Sequence, residues 1–375
     1  MQNKFFKNNF DLIRLFAAFQ VAFVHVFHIM EIETTGIVRF LLHMFYLFPG
    51  VPIFFFISGF LISRSYENNS CSKEFFINRV LRLYPGLIVC VTFSIILVVL
   101  SGYLQGRDVK WFELVVLFLA KATFFQFYNP EFMRAFGDGV LNGSLWTITV
   151  EIQFYLIIPV LFFIISRRPP QCTTNCALVL LTVLFFTLNR FYAVLPDMVD
   201  KSLITKLIGV SFFPWFYIFL LGVLVQRNFE FFHTYLGGRF YLAFPLYLSS
   251  AYMLSEIGSS FGNNSNPVIV MLLILTVFSF AYSMPALSKK MLKGNDISYG
   301  LYIYHMPVVN LLIFSGLYQK TEYGFVALVA CILLAAISWL IIEKPALRLK
   351  KHPFFSVSAR TLSDSLVEPA PVRNA

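Results

Sequence analysis

The stretch FDLIRLFAAFQVAFVHVFHIM, residues 10–30, is apolar and long enough to cross a bilayer. It nevertheless carries four ionisable side chains: Asp11, Arg14, His25 and His28. A helix needs about 20 mostly apolar residues to span the hydrocarbon core. Ionisable groups at that depth are costly, so they normally face the protein interior and mark a site or a pathway. The stretch therefore predicts a first membrane helix that borders a polar site.

The whole chain has the composition of a membrane protein. Of its 375 residues, 58% are hydrophobic and 13% are charged, and its mean hydropathy is +0.74. A soluble domain carries about 25% charged residues. The apolar runs are continuous and do not alternate with polar residues as barrel strands do. We therefore expect an all-α fold, a polytopic bundle of membrane helices.

Apolar segments of near-spanning length recur along the chain. They cover roughly residues 10–30, 44–63, 83–101, 112–128, 146–165, 176–192, 207–226, 239–255, 267–286, 298–317 and 324–342. The lysines and arginines between them place both termini in the cytoplasm, because cytoplasmic loops are enriched in these residues. An odd number of crossings cannot leave both termini on one side. We therefore expect about ten transmembrane helices, with the short segment 112–128, which contains Lys121, re-entrant or on the surface.

The chain is expected to have one structured domain. Residues 1–350 form the membrane domain, and the polar residues 351–375, which contain Pro and Ser, form a flexible cytoplasmic tail. The net charge of +10 lies in loops between spans, and no motif for nucleic-acid binding accompanies it. Cys172 and Cys176 lack a second pair of ligands, so we expect no metal. No heptad run indicates an oligomeric state.

The polar residues of the first helix follow one stripe. Eleven residues advance a helix by about 1,100°, close to three turns, so Arg14 and His25 share a face about 16 Å apart. Asp11 and His28 each lie three residues from one of this pair and join the same face. Arg14 alone is explained as an anchor at the membrane surface, and His25 alone as a structural histidine. Their shared stripe favours a functional reading for both, whereas His28 is expected to be structural.

Three further sets of polar residues interrupt the apolar runs. Arg79 and Arg82 lie one turn apart at a helix start, where they suit phosphate binding, although topology alone also explains them. Glu151 sits inside an apolar run and needs a cationic or hydrogen-bonding partner. Trp146 belongs either to the site or to an interfacial aromatic belt. His305 is as well explained by structure as by function.

Taken in order, these motifs resemble the membrane-bound acyltransferase-3 family, the OafA-like O-acyltransferases. The resemblance covers about residues 8–350. It rests on Arg14 with His25, GVPIFFFISGFLI (50–62), NRVLRLYP (78–85), SLWTITVEIQFYLIIP (144–159), ISYGLYIYHMPV (297–308) and EKPALRL (343–349). One position departs from the family pattern: Pro52 stands where relatives often have an acidic residue, which places the role of that acid in doubt here.

The resemblance implies a multi-pass enzyme of the bacterial inner membrane. Such an enzyme moves an acyl group, usually acetyl, from cytoplasmic acetyl-coenzyme A to a sugar hydroxyl on the outer side. The acceptor would be a polysaccharide or a glycolipid, with lipopolysaccharide O-antigen as one example. The expected partners are therefore membrane lipid, the acyl-coenzyme A donor and the sugar acceptor, with no nucleic acid.

The resemblance also implies roles for individual residues. His25 would act either as general base or as the carrier of the acyl group. Arg14 would stabilise the thioester oxyanion or hold a donor phosphate, and Glu151 would orient the imidazole. Arg79 and Arg82 would hold the phosphates of the donor. Supporting or substrate-binding roles fall to Trp146, Tyr155, Tyr299 and His305.

A transporter or exporter of a lipid-linked sugar is the alternative function. Buried charges and about ten spans suit a transporter as well. The chain shows no paired inverted halves and no matching interrupted helices, which transporters of that kind display. The sequence therefore favours an acyltransferase, without indicating which sugar is modified or at which position.

Overall fold

The computed structural model describes residues 5, 7–68, 72–166, 171–198, 203–256, 262–263, 265–284 and 286–351. Over these residues the chain is helical and contains no strand, which confirms the all-α prediction. The helices are α1 (Phe10–Ile29), α2 (Gly36–Tyr46), α3 (Gly50–Asn68), α4 (Ser72–Leu100), α5 (Trp111–Ala122), α6 (Trp146–Ser166), α7 (Gln171–Met198), α8 (Leu203–Gly209), α9 (Phe216–Arg227), α10 (Phe229–Leu236), α11 (Phe240–Glu256), α12 (Pro267–Ala281), α13 (Leu287–Leu292), α14 (Ser298–Phe314), α15 (Thr321–Ser338) and α16 (Lys344–Arg348).

Several of these helices have the length and composition of membrane spans. Among the described residues, six helical stretches qualify, and two shorter helices, α9 and α12, are also apolar. The six are Phe10–Ile29, Gly36–Asn68, Ser72–Leu100, Gly143–Ile165, Cys172–Val194 and Thr321–Arg348. The protein is thus a multi-pass membrane protein, as expected, while the number of ten crossings stays a prediction.

Prolines divide two of the predicted segments. The predicted span 44–63 is split between α2 and α3, and Pro49 occupies the break. The predicted span 207–226 is split between α8 and α9, with Pro214 just before α9. Proline has no N–H and disfavours the helical conformation at the residue before it. A prediction from hydropathy alone does not detect these breaks, because the residues around the prolines remain apolar.

The predicted non-crossing segment 112–128 corresponds to a short helix. Helix α5 has 12 residues and is therefore about 18 Å long, against a hydrocarbon core of about 30 Å. After Ala122 the chain continues without regular helix to residue 142, apart from one 3₁₀ turn at Glu131–Met133. The helix is thus too short to cross the membrane by itself.

Helices α3 and α9 pack with their backbones in contact. A Cβ atom on Gly59 would lie 2.0 Å from the carbonyl oxygen of Phe219, and one on Gly222 would lie 2.3 Å from that of Phe56. Small residues at a crossing allow membrane helices to approach closely and gain dispersion contacts. This crossing fixes α3, which supplies one wall of the site described below.

Helix α14 runs through the centre of the bundle. Every residue from Gly300 to Asn310 is buried, as expected of a helix surrounded by others on all sides. Helix α1 packs along α14, as do α4 and α15. His25 on α1 and His305 on α14 are thereby brought together.

The segment 123–145 covers one end of α14, which we call the loop end. The side-chain amide of Asn142 donates to the carbonyl oxygen of Ile303 at 2.8 Å. The backbone N–H of Asp138 donates to the side-chain oxygen of Asn310 at 2.9 Å. The first bond satisfies a backbone carbonyl of the buried helix, the second satisfies a backbone N–H of the covering segment, and both hold that segment in place.

The opposite end of the bundle, which we call the basic end, carries Arg79, Arg82 and Lys350. Helix α15 continues through a π-helical turn, Trp339–Glu343, into α16 and a 3₁₀ turn, Leu349–Lys351, and the continuation packs against α4. Of the predicted flexible tail, residues 351–375, all but residue 351 lie outside the described residues. The prediction that the basic end faces the cytoplasm rests on charge placement alone.

Gly59→Ala is expected to destabilise the protein by about 2 kcal/mol, within the range for overpacking. Alanine favours a helix by up to ~1 kcal/mol over glycine, but the new methyl would meet backbone that no side-chain rotation can move. Thermal unfolding in detergent, followed by tryptophan fluorescence, measures the change. Val160→Ile is the matched control, because it adds one methylene to a side chain that is 57% exposed to lipid. A Gly59→Ala variant as stable as the control would contradict the close crossing.

Candidate active site

A cavity of about 450 Å³, the central cavity, opens among α1, α3, α4, α6 and α14. Along α3 its wall runs from Val51 to Ile62, about 16 Å at 1.5 Å per residue. It therefore reaches through about half of a hydrocarbon core. Its polar lining comprises Asp11, Arg14, Ser58, Arg79, Arg82, Thr147, Glu151, Tyr155, Asp296, Ser298, Tyr299, Tyr302 and Lys350.

Two arginines of the central cavity are paired with carboxylates. Arg14 lies 3.6 Å from Asp11, one turn earlier on α1. Arg82 forms a hydrogen-bonded ion pair with Asp296, just before α14. Burial acts to raise the pKa of Asp296, but the Arg82 guanidinium outweighs it and holds that pKa below its usual range. Asp296 also accepts a hydrogen bond from the backbone N–H of Ser298 at 3.2 Å, so the pair joins α4 to the start of α14.

Arg79 is held differently, by aromatic rings. Its guanidinium lies 5.4 Å from the ring centre of Phe75 and 5.7 Å from that of Tyr155, within the range of a cation–π contact. Its Nε is buried and has no hydrogen-bond partner among the described residues. A buried guanidinium with an unused donor is positioned for an anion.

Lys350 is the fourth cation that lines the central cavity, after Arg14, Arg79 and Arg82. It lines the central cavity and is partly buried. Burial, together with the nearby Arg79 and Arg82 charges, lowers the pKa of Lys350 to about 8. Lys350, Arg79 and Arg82 repel one another. An anion bound among them would relieve this repulsion and be stabilised by all three charges.

Glu151 lies in the same cavity but not beside His25. Its Oε1 accepts hydrogen bonds from Ser58, at 3.2 Å, and from the Tyr155 hydroxyl one turn along α6. Glu151 thereby anchors Tyr155, whose ring also contacts Arg79. The prediction that Glu151 needs a polar partner is confirmed, whereas the suggested pairing with the imidazole of His25 is not present in this structure.

The partner of His25 is His305. The Nδ1 atom of His25 lies 3.0 Å from Nε2 of His305. His305 is fully buried, while His25 is partly buried and its Nε2 makes no hydrogen bond to the described residues. The pair lies outside the lining of the central cavity, but the ring of Tyr302, which does line it, is 5.9 Å from the His305 ring.

The remaining predicted residues occupy different places. Tyr299 lines the central cavity and donates to the carbonyl oxygen of Leu83 at 2.9 Å. Trp146 lines a second cavity, nearer the loop end, and its ring centre lies 5.2 Å from that of Trp215. The adjacent Thr147 lines the central cavity. Trp146 and Thr147 therefore stand in the wall between the two cavities.

Sequence reasoning missed several residues that line the central cavity, among them Asp296, Tyr302, Lys350 and Ser58. Lys350 directly follows EKPALRL, where membrane topology alone explains a positive charge. Tyr302 and Ser58 lie within motifs that were identified, and nothing in their spacing shows that they face Thr147 or Glu151. Asp296 stands at a helix start, where a carboxylate is ordinarily a cap. The described residues contain no cluster of three or more His, Cys, Asp or Glu side chains that would hold a metal.

Comparison with known proteins gives a consistent result. Residues 7–343 match the family described as acyltransferase domain, the acyltransferase-3 family. The chain is 32% identical over 369 residues to nodulation protein 10 of Rhizobium leguminosarum bv. viciae, covering 95% of this chain and 96% of that protein. No solved structure matches the chain.

Two relatives carry an activity in their names. The O-acetyl transferase of Shigella phage Sf6 is 24% identical over 356 residues, covering 90% of this chain and 95% of that protein. The peptidoglycan O-acetyltransferase OatA of Listeria monocytogenes is 24% identical over 333 residues, covering 82% of this chain but only 52% of that protein.

The family match spans nearly all of the membrane bundle and includes every residue of the central cavity except Leu347 and Lys350. It confirms both the resemblance read from the motifs and the expectation of an enzyme. The chain belongs to the membrane-bound acyltransferase-3 family and is an acyltransferase.

Proposed function

We propose that the protein transfers an acyl group, in the first place acetyl, from cytoplasmic acyl-coenzyme A to a sugar hydroxyl on the outer side of the membrane. The acceptor is a surface polysaccharide or glycolipid of the lipopolysaccharide O-antigen type, and the membrane is the bacterial inner membrane with both termini cytoplasmic. One observation carries the proposal: Arg14, Arg79, Arg82 and Glu151 surround a single deep cavity. The names of two O-acetyltransferase relatives support the same reaction.

The central cavity suits a coenzyme A thioester in charge and in shape. Its basic end presents the unpaired Nε of Arg79, with Lys350 close by. Phosphates bind well to guanidinium groups, which donate several hydrogen bonds in a fixed plane. The cavity then continues for about 16 Å along α3, which is suited to the narrow pantetheine arm. The thioester would reach the inner end, at Thr147 and Tyr302.

The His25–His305 pair stands beside that inner end. We assign the proton between the rings to Nδ1 of His25, which donates to Nε2 of His305. His305 then carries its own proton on Nδ1, which is buried and has no hydrogen-bond partner among the described residues. This arrangement leaves a lone pair on Nε2 of His25, the nitrogen without a partner among the described residues.

In the direct reaction, Nε2 of His25 accepts the proton of the sugar hydroxyl as its oxygen attacks the thioester carbon. A C–O bond forms, the C–S bond breaks, and the departing sulfur recovers the proton from His25. In the stepwise reaction, Nε2 itself attacks the thioester carbon, the C–S bond breaks, and the departing thiolate takes a proton from solvent. The sugar oxygen then attacks the acyl carbon, the C–N bond to the imidazole breaks, and the hydroxyl proton is released to solvent. Either way His305 holds the imidazole of His25 in the reactive orientation.

Arg14 and Glu151 act on the donor side. Arg14 lies about 16 Å along α1 from His25 and lines the basic part of the cavity, so of its two suggested roles we favour contact with a donor phosphate. Glu151 fixes Tyr155, and Tyr155 in turn supports Arg79. We therefore propose Glu151 as a positioning residue and not as the partner of the imidazole.

His25→Ala is expected to lower O-acylation by at least about 100-fold, the usual cost of removing a general base, while the protein still inserts and folds. The O-acetyl content of surface glycans and acetyl transfer by purified protein in nanodiscs measure the effect. His28→Ala, at an exposed position one turn away, is the matched control and should retain activity. Full activity of His25→Ala would remove this residue from the chemistry.

Labelled acetyl-coenzyme A without acceptor separates the two reaction routes. Label retained on the wild-type protein and absent from His25→Ala indicates the acyl-imidazole route. Label absent from both, with rapid transfer once acceptor is added, indicates the direct route.

The double variant Arg79→Ala/Arg82→Ala is expected to weaken use of acetyl-coenzyme A. Of the single variants, Arg79→Ala should mainly affect donor binding and Arg82→Ala should mainly affect stability. Arg79→Ala raises KM for the donor about tenfold or more, the loss of one charge-assisted contact, with little change in stability. Arg82→Ala leaves Asp296 as an unpaired buried charge and costs about 3–5 kcal/mol in stability. Asp296→Asn added to Arg82→Ala should restore part of that stability, because the amide oxygen still accepts from Ser298.

Donor titrations and thermal unfolding, run on the same preparations, distinguish these effects. An unchanged KM for Arg79→Ala would return this arginine to a topological role.

A further inference from the structure

A second cavity, of about 410 Å³, lies near the loop end and is here called the loop cavity. It is bounded by the segment after α5, the start of α6 and the region around α8. Its lining comprises Lys121, Gln126, Phe127, Asn129, Val140, Asn142, Gly143, Trp146, Tyr192, Lys206, Gly209, Val210, Trp215 and Asn263. The mechanism proposed above uses none of these residues, so their arrangement requires a separate explanation.

Aromatic rings form one wall of the loop cavity. The ring centres of Trp146 and Trp215 are 5.2 Å apart, and those of Tyr192 and Trp215 are 6.3 Å apart. Trp215 donates its indole N–H to the carbonyl oxygen of Gly209 at 2.8 Å, whereas the indole N–H of Trp146 has no acceptor among the described residues. Ring faces attract the C–H face of a sugar, and a free N–H suits a hydroxyl.

Lys121 also lines the loop cavity and is 2% exposed. Its ammonium group donates to the carbonyl oxygen of Gln126 at 2.6 Å. No carboxylate lies within 4 Å of it among the described residues. An ammonium group has three donors, so two remain, and a buried lysine without a paired anion is rare. The carbonyl oxygen of Gln126 thus accounts for one hydrogen bond of Lys121. It does not supply a negative charge to pair with the ammonium group.

Among the described residues, the charged side chains that line the loop cavity have one sign. Lys206, an exposed side chain at its edge, is the second cation of the lining, and no Asp or Glu is found among the lining residues that the structure describes. The central cavity, in contrast, balances its four cations with three carboxylates. Two cations without a counter-charge favour an anionic ligand.

The loop cavity adjoins the inner end of the central cavity. Trp146 lines the former, while Thr147 and Phe55 line the latter. The Trp146 and Phe55 ring centres are 6.5 Å apart, and the Thr147 hydroxyl lies 2.8 Å from that of Tyr302. A ligand in the loop cavity is therefore one layer of side chains away from the place assigned to the thioester.

We propose that the loop cavity binds the acceptor saccharide through a sugar unit that carries an anionic group. The sugar ring packs on Trp146 and Trp215, and the anion is bound by Lys121 with Lys206 at the entrance. The reactive hydroxyl then points toward Thr147 and Tyr302. That the bound saccharide is the acceptor rests on the proposed function, whereas the binding preference follows from the cavity itself.

Titration of the full-length protein in nanodiscs, without any acyl donor, tests the proposal. The probes are trigalacturonate and its methyl ester, which has the same length and no charge, and tryptophan fluorescence reports binding. We expect the acid to bind at least tenfold more tightly, about 1.4 kcal/mol, and the preference to decrease as salt is added. Competition by methyl galacturonoside or by inorganic phosphate then distinguishes a carboxylate from a phosphate as the preferred anion.

Lys121→Met should remove the tenfold preference and leave binding of the methyl ester unchanged. Lys110→Met, an exposed lysine at the start of α5, is the matched control and should keep the preference. Lys206→Met changes an exposed side chain, so it cannot act through misfolding, and it should reduce the preference about threefold, the effect of one partly screened charge.

Equal binding of acid and ester by the wild-type protein, or an undiminished preference in Lys121→Met and Lys206→Met, would overturn the assignment. Because these titrations contain no donor, such a result leaves acyl transfer by the central cavity untouched. Failure of the proposed function appears instead as absence of O-acetyl transfer in a protein that still prefers the acidic probe.

Discussion

The organising constraint of this protein is the cost of keeping charged side chains inside a bundle that faces lipid. Each such group must point inward and find a partner or a polar cavity, because the hydrocarbon offers neither. Arg82 meets this demand with Asp296, Glu151 with Ser58 and Tyr155, and His25 with His305. These pairings draw α1, α3, α4, α6 and α14 around one space. The need to pair buried polar side chains therefore shapes both the site and the packing of the helices around it.

The close approach of the helices makes that space possible. Gly59 and Gly222 bring α3 and α9 into backbone contact on one side of α3, so the other side of the same helix lines the central cavity from Val51 to Ile62. Membrane helices gain little from hydrophobic burial against each other, and they depend on dispersion contacts between small residues instead. One side of α3 is thus packed tightly against α9, while another side of the same helix lines the central cavity.

Under the two proposals above, the two cavities divide the requirements of acyl transfer between them. The central cavity has cations, an aromatic support for Arg79 and enough depth for a long thioester donor. The loop cavity has aromatic faces and an unmatched buried lysine. A thin wall at Trp146, Thr147 and Phe55 separates them, with the His25–His305 pair close by. Such a partition would let a donor and an acceptor approach from opposite faces while water is kept from the thioester.

Much of this follows from local chemistry. Composition and continuous apolar runs indicate a multi-pass helical bundle. Because burying an ion in a membrane costs free energy, the sequence identifies four charged residues as candidates for the site: Arg14, Arg79, Arg82 and Glu151. All four line the central cavity. The motif order identifies the family, which the comparisons confirm.

Pairings between distant segments do not follow from local chemistry. His25 and His305 are 280 positions apart, and helical periodicity relates residues within a helix but carries no information about which helices become neighbours. For the same reason Glu151 was assigned to the imidazole, although the rotation of α6 turns it toward Ser58. Lys350 and the whole loop cavity likewise arise only when separate segments pack together, because a cavity is a property of the space between elements.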